Sequence, residues 1–225
     1  MVRIGPSSRP MIVRNVGAGA GGVAVRCNKG EAMADESVPD DRRLPIAGIN
    51  HLALVCSDMA RTVEFYTQVM GFPLIKTVEL PAGMGQHFFF DIGGGNSLAF
   101  FWFDKAPAAA PGVAAPAARP DTGDLESAIG SMNHVSFNVP QERIEEIRQT
   151  LIDRGVECSK LVLHDDSEWT VTNTMNETAF VSSVYFFDPD GILLELSAWL
   201  RPLTDADVKH MPMTARGLAA VSQES

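Results

Sequence analysis

Cysteine is scarce in this chain: Cys27, Cys56 and Cys158 form an odd set, and no two of them have the close spacing of a metal clip or a redox motif. Such usage fits a reducing cytoplasm. Long apolar runs are missing too. None approaches the ~20 residues needed to span a bilayer, and the first residues lack the continuous apolar stretch of a secretory signal. Acidic residues are absent from the first 30 positions, which carry Arg3, Arg9, Arg14, Arg26 and Lys29, so within the net charge of −10 all the acidic residues belong to the remainder. A surface of that sign repels phosphate backbones and anionic lipid. Neither nucleic acid nor a membrane surface is therefore an expected partner, and a small molecule is.

Apolar residues make up 45% of the chain, enough to bury a core in one or two domains. They are unevenly placed. Residues 1–45 are rich in Gly, Arg, Pro and Ser and read as a disordered extension, in which Met33 offers a second starting point. Pro6, Pro10 and the glycines break the amphipathic helix that a transit peptide would need. Residues 105–130 open on a run of Ala and Pro, with Pro107, Pro111, Pro116 and Pro120 forbidding regular structure; the expectation is a semi-extended linker. Residues 201–225 have weak periodicity and read as a short helix or tail.

What remains, residues 46–104 and 131–200, is self-similar, and repetition decides architecture before any local feature. Ile49-Asn50-His51-Leu52-Ala53-Leu54 is echoed by Met132-Asn133-His134-Val135-Ser136-Phe137. A helical spacing follows each, through Met59, Val63, Tyr66 and Met70 and then through Ile144, Ile147 and Leu151. Gly71 and Gly155 are placed to end these helices. The likeness resumes at His87-Phe88-Phe89-Phe90-Asp91 and Val184-Tyr185-Phe186-Phe187-Asp188, and Asp188-Pro189-Asp190-Gly191 has the composition of a hairpin turn. With partner strands over 97–103 and 192–199, each copy reads βαβββ. The fold class expected is α+β, built from two such modules.

Side chains alternate along a strand, so Val135 and Phe137 turn to the helix while His134, Ser136 and Asn138 take the opposite face. His51 holds the same place in the first copy, with Leu52 and Leu54 toward the helix. In the last strand Glu195 lies between Leu194 and Leu196, where a carboxylate needs a reason to be. Singly, each of these three reads as an ordinary strand residue. Together, two histidines at equivalent repeat positions and one carboxylate at the end of the second copy suit a mononuclear metal with open coordination positions. Fe(II) fits such a set, and Mn, Ni, Zn or Co can also use it.

Paired modules with the Asn-His strand start and the ending Phe187-Asp188-Pro189-Asp190-Gly191-x-x-x-Glu195 resemble the vicinal oxygen chelate superfamily of glyoxalases, bleomycin-resistance proteins and extradiol dioxygenases. The resemblance spans roughly Ile46 to Trp199. It implies that each module curls into a half-open barrel and that His51, His134 and Glu195 hold one divalent ion in a cleft between the modules. Glyoxalases and epimerases of this superfamily typically carry a fourth ligand late in module 1, which falls here at Ala99 or Phe100, neither able to bind metal. The three-ligand set resembles that of type I extradiol dioxygenases, and Val184-Tyr185 through Glu195 is similar to the last part of their motif, which implies a hydrogen-bonding role for Tyr185. A histidine of that motif is missing from Asn176-Glu177-Thr178-Ala179-Phe180. His164, in a polar stretch with Asp165 and Asp166, is the expected replacement, whereas the alignment of His87 with Val184 puts His87 on the outer side of its sheet. The expected activity is ring cleavage of a catechol-like molecule. The alternatives are a glyoxalase-like lyase or isomerase and a metal-free drug-binding protein. The linker allows the modules to pair within one chain or between the two chains of a homodimer.

Overall fold

A computed structural model describes Leu44, Ile46, residues 48–210, Pro212 and Met213; the expected extension and most of the tail lie outside these residues. Module 1 starts with β1 (His51–Cys56). It continues through α1 (Met59–Glu64), whose last turns widen into a π-helical segment (Phe65–Val69), to β2 (Leu74–Glu79), β3 (Gly85–Gly93) and β4 (Asn96–Phe103). Module 2 repeats the plan with β5 (Val135–Asn138), α2 (Ile144–Asp153), β6 (Val162–His164), β8 (Val181–Phe187) and β9 (Leu193–Trp199), and adds a two-residue strand, β7 (Val171–Thr172), at the edge.

The strand orders are β1-β4-β3-β2 and β5-β9-β8-β6-β7, with the first and last strands of each module parallel and the rest antiparallel. Both helices stop where the glycines predict. Gly71 and Gly155 have φ of +74° and +85°, conformations that cost a residue with a Cβ, and after α2 the Val156 N–H returns to the Leu151 carbonyl at 3.0 Å.

One hydrophobic core serves both modules. Leu54, Leu98 and Phe100 of sheet 1 join Val135, Phe137, Leu194 and Leu196 of sheet 2, and Phe72 meets Phe137 edge-on with ring centroids 5.3 Å apart. The helix-bearing sides of the sheets therefore face a shared interior. The other sides, which carry His51 and His134, face away from it.

The Asp188-Pro189-Asp190-Gly191 turn closes β8 and β9, as its composition predicts, through Gly191 N–H to the Asp188 carbonyl at 3.1 Å. It also fastens module 2 to module 1. Asp190 accepts from Ser57 N at 3.0 Å and from Arg61 at 2.7 Å, and the buried Tyr66 hydroxyl donates to Asp188 Oδ2 at 3.1 Å. Burial pushes the Asp188 carboxyl up to about 6, against the two backbone N–H bonds it accepts from Ile192 and Asp190.

The Ala/Pro segment departs from the semi-extended path expected. It folds into turns, with Gly112 N–H on the Ala115 carbonyl at 2.7 Å, and Pro116 is fully buried. Proline bars continuous ladders but not single turns. Arg119, only 9% exposed, pins the segment by pairing with Asp121 at 3.1 Å and Glu157 at 3.0 Å.

Candidate metal centre

Strand register settles which residues correspond. Ser136 pairs with Glu195 and Glu195 with Tyr185; the matching row of module 1 is Ala53, Ala99 and Phe89. Ala99, and not Phe100, thus stands where Glu195 stands, and it has no donor atom. Phe89 is the counterpart of Tyr185.

This register also corrects the placement of His87. Matching Asp91 to Asp188 slips by one residue, because a bulge between Asp91 and Gly93 absorbs an extra position. A one-residue slip reverses every side chain. His87 therefore lies on the face of sheet 1 that carries His51, with its ring flat on Phe101 at 3.6 Å between centroids and its Nδ1 held by the Phe100 carbonyl at 3.1 Å.

His134 and Glu195 are brought together: Nε2 and Oε2 are 3.1 Å apart, and the Glu195 side chain is 7% exposed. Asn133 explains how the ring is aimed. Its amide nitrogen donates to the Leu125 carbonyl at 2.7 Å, which leaves its oxygen for His134 Nδ1 at 2.8 Å. The proton then sits on Nδ1, and Nε2 turns its lone pair toward the carboxylate. Two acceptors at that separation need a cation between them, either a proton on the ring or a metal ion. Asn50 makes the same 2.8 Å contact with His51 Nδ1. The Asn-His pair seen in both repeats is thus an imidazole and the amide that orients it, a role that repetition alone did not reveal.

His51 does not join the other two. It lies on sheet 1, edge-on to Phe89 at 5.6 Å, and among the described residues no three His, Cys, Asp or Glu side chains cluster closely enough to hold a metal. A cleft between the modules is not formed within one chain, because the modules bury their helix-bearing sides against each other.

Around the His134–Glu195 pair the environment favours an ionised carboxylate. Burial of Glu195 opposes its charge, but the His134 imidazole and the nearby hydroxyls of Ser183 and Ser136 outweigh it and bring the carboxyl down to about 2. Ser183 Oγ is itself buried without a contact of hydrogen-bond geometry, an orphaned hydroxyl beside the carboxylate. Tyr185 is 5% exposed, and its hydroxyl lies 3.0 Å from His164 Nε2. Burial, and then the Glu195 charge, raise the Tyr185 phenol well above its ordinary value, so it stays protonated at neutral pH.

His164 is placed at the end of β6, half-buried, and not in a free loop. The next residue, Asp165, is buried and turned away into bonds from Ser167 and Asn176. Asn176, which stands in the stretch lacking the motif histidine, is a loop anchor: its oxygen accepts from Thr178 and Ala179 N–H groups at 2.9 and 2.8 Å.

A family model described as the glyoxalase/bleomycin resistance protein/dioxygenase superfamily matches residues 48–196. No curated protein matches the sequence. Solved structures do. SMU.1112c is 25% identical over 67% of this chain and 97% of its own, with a TM-score of 0.47. The glyoxalase family protein from Enterococcus faecalis is 24% identical over 67% and 97%, with a TM-score of 0.46. The fosfomycin resistance protein FosX from Listeria monocytogenes, solved with Mn(II) and a sulfate ion, is 19% identical over 68% and 93%, with a TM-score of 0.42.

Proposed function

Because the chain belongs to the glyoxalase/bleomycin resistance protein/dioxygenase superfamily, we propose that it is a divalent-metal enzyme of the extradiol type, cleaving the ring of a catechol-like small molecule. The ligands are His51, His134 and Glu195. The observation that carries this reading is the 3.0 Å contact between Tyr185 and His164 on the face of module 2 that bears Glu195. It supplies a protonated phenol and an imidazole next to the ligands, where the histidine absent from residues 176–180 would otherwise be wanted. Ala99 at the fourth position leaves coordination sites open for substrate.

The ligand set is completed between two copies of the chain. The Asn-oriented imidazole of His51 and the His134–Glu195 pair lie on faces turned away from the shared core, so a homodimer that lays module 1 of one copy over module 2 of the other forms two equivalent sites. The exposed apolar residues on the His51 face, Val55 at 50%, Phe103 at 37% and Val78 at 36%, would be covered in such a pairing.

His51, His134 and Glu195 would hold the ion, which would supply Lewis-acid stabilisation of two adjacent anionic substrate oxygens; Fe(II), the preferred ion, would also supply the redox chemistry that O2 needs, whereas among the alternatives Mn, Ni, Zn and Co, Zn would serve only as a Lewis acid. Tyr185 donates its hydroxyl hydrogen to a substrate oxygen. His164 Nε2 supports the phenol oxygen and takes up or returns a proton during turnover. The His134 imidazole beside it keeps Glu195 in its charged, ligand-ready form. Among the described residues no helix is long and apolar enough to cross a membrane, and Cys56 and Cys158 are free, in keeping with work in a reducing cytoplasm.

The test is metal content after anaerobic purification, followed by O2 uptake on a panel of catechols. Uptake of O2 that depends on Fe(II) is the expected result. Isomerisation of a thiol-conjugated α-ketoaldehyde without O2 uptake would replace this reading by a glyoxalase-like one, in which the Tyr185–His164 pair moves the proton. A metal-free protein that binds ligand without turnover would make it a sequestering protein.

A further inference from the structure

Across the chain 28 acidic residues outnumber 18 Lys and Arg. The shared interior is nevertheless entered by a cavity of about 760 Å³ whose charged lining residues are two arginines, Arg143 and Arg154, with no carboxylate among the rest. One wall is α2 with its flanking residues. Arg143, Ile147, Thr150 and Arg154 follow one another at spacings of four, three and four, so they share one face of it. The opposite wall belongs to module 1, through Leu52, Leu98 and the stretch from Val69 to Phe72. None of His51, His134, Glu195, Tyr185 or His164 lines the cavity, which is therefore separate from the metal centre.

The apolar part of this space is left unfilled by the protein. Leu52, Phe72, Ile92 and Ile147 pack against the core yet stay partly exposed, because the cavity runs between them. Its volume is that of a small-molecule site, which typically takes ~300–1,000 Å³. From Arg143 to Arg154 the wall is about 16 Å long at the rise of a helix. The two arginines at its ends differ. Arg143 gives Nε and Nη2 to Glu146 at 3.1 and 2.9 Å, so its charge is answered. Arg154 reaches across to module 1, where its Nη1 donates to the Val69 carbonyl, and it pairs with no carboxylate among the described residues. Backbone N–H groups of Arg154, Gly155 and Val156 take up the Thr150, Leu151 and Ile152 carbonyls, so the guanidinium is what this end of α2 presents. A guanidinium with donors left over suits a carboxylate, which it binds through two parallel hydrogen bonds.

We propose that this cavity is a second ligand site, which takes an apolar monocarboxylate of the medium-chain fatty-acid kind. The carboxylate sits on Arg154, and the chain lies along α2 past Thr150 and Ile147, between the two modules. One anionic group is called for because Arg143 is already paired. A linear aliphatic body is called for because the wall is long and its apolar residues are mostly aliphatic. The site goes beyond the metal-centre reading and does not depend on it.

The experiment measures binding of decanoate and of decan-1-ol to the full chain by calorimetry at pH 7, with melting temperatures recorded for every variant. Wild type should bind decanoate at least about tenfold tighter than the alcohol, the margin of a charge-assisted pair over a neutral hydrogen bond. Arg154→Gln should bring the two ligands to within about threefold, whereas Arg143→Gln should keep the wild-type preference. Thr150→Phe and Ile147→Trp fill the space from the α2 wall and should each weaken decanoate at least about tenfold. A decanoate with a photoreactive diazirine near its tail, used on wild type so that no variant has to fold, should label α2 or the stretch from Val69 to Phe72. No binding of decanoate, equal affinities in wild type, or a preference that survives Arg154→Gln would overturn the proposal. Labelling confined to other segments, or undiminished binding in both filled variants, would overturn it as well.

Discussion

Replacing Asp188 by Asn should make the protein's stability less sensitive to pH between 4 and 7. Asp188 is 6% exposed, and burial holds its folded-state value at about 6 against 3.8 for an unhindered aspartate. The sign follows from linkage. A carboxyl raised in the folded state is fully compatible with folding below pH 3.8, where both states are protonated, and costs stability as pH rises from 3.8 to about 6, where the unfolded state has ionised and the folded state has not; the loss is complete above that. A difference of about two units corresponds to about 3 kcal/mol, an upper bound once relaxation of the surroundings is allowed. Asparagine conserves the geometry: its oxygen can accept from Asp190 and Ile192 N–H, and its amide can donate to Tyr66. Urea unfolding of both proteins from pH 4 to pH 7.5 is the assay, read as the difference between the two stabilities, so that groups common to both cancel. Wild type should lose ground to D188N between about pH 4 and pH 6, hold a constant difference above that, and be no more stable than it at pH 7. A difference that stays flat would show that Asp188 does not titrate in the folded state, and that the clamp between the modules is indifferent to its charge.

Tyr66→Phe should destabilise the protein by about 1–2 kcal/mol at pH 7, because it takes from a buried carboxylate one of its donors; thermal and urea unfolding report it. Tyr185→Phe should keep its metal and lose about a hundredfold in turnover, and His164→Ala should lower turnover without loss of metal; metal analysis alongside O2 uptake separates this from a damaged ligand set. If the site is shared between copies, His51→Ala and Glu195→Ala will each be inactive, whereas unfolding and refolding an equimolar mixture should restore about a quarter of wild-type activity, from random pairing that leaves one intact site in half of the dimers. No recovery in confirmed mixed dimers would place the whole ligand set within one chain. With the Glu195 carboxyl at about 2 and so fully ionised in wild type at pH 7, Glu195→Gln should weaken metal binding at that pH, as measured by competition with a chelator.

The repeated Asn-His strand starts, the helical spacings and the glycines after them were enough to read two βαβββ modules, since each reflects a local rule: alternation along strands, a period near 3.6 in helices, and a left-handed turn that glycine adopts cheaply. Parity likewise put Val135 and Phe137 on the buried face of their strand and Ser136 and Asn138 on the other, because alternation holds wherever strand boundaries are right. His87 and the choice between Ala99 and Phe100 were not legible in the same way. Both depend on register across β3 and β4, where the bulge near Gly93 adds a residue that no pattern along one strand reveals. The meeting of Tyr185 with His164, the aiming of His134 by Asn133 and the turn-rich course of the Ala/Pro segment depend on contacts between residues distant in sequence or on a local fold that composition leaves open. The separation of His51 from His134 and Glu195 lies further still from the sequence. It follows from which sides of the two sheets were buried together, and the apolar sides of both modules would satisfy alternation equally well in either arrangement.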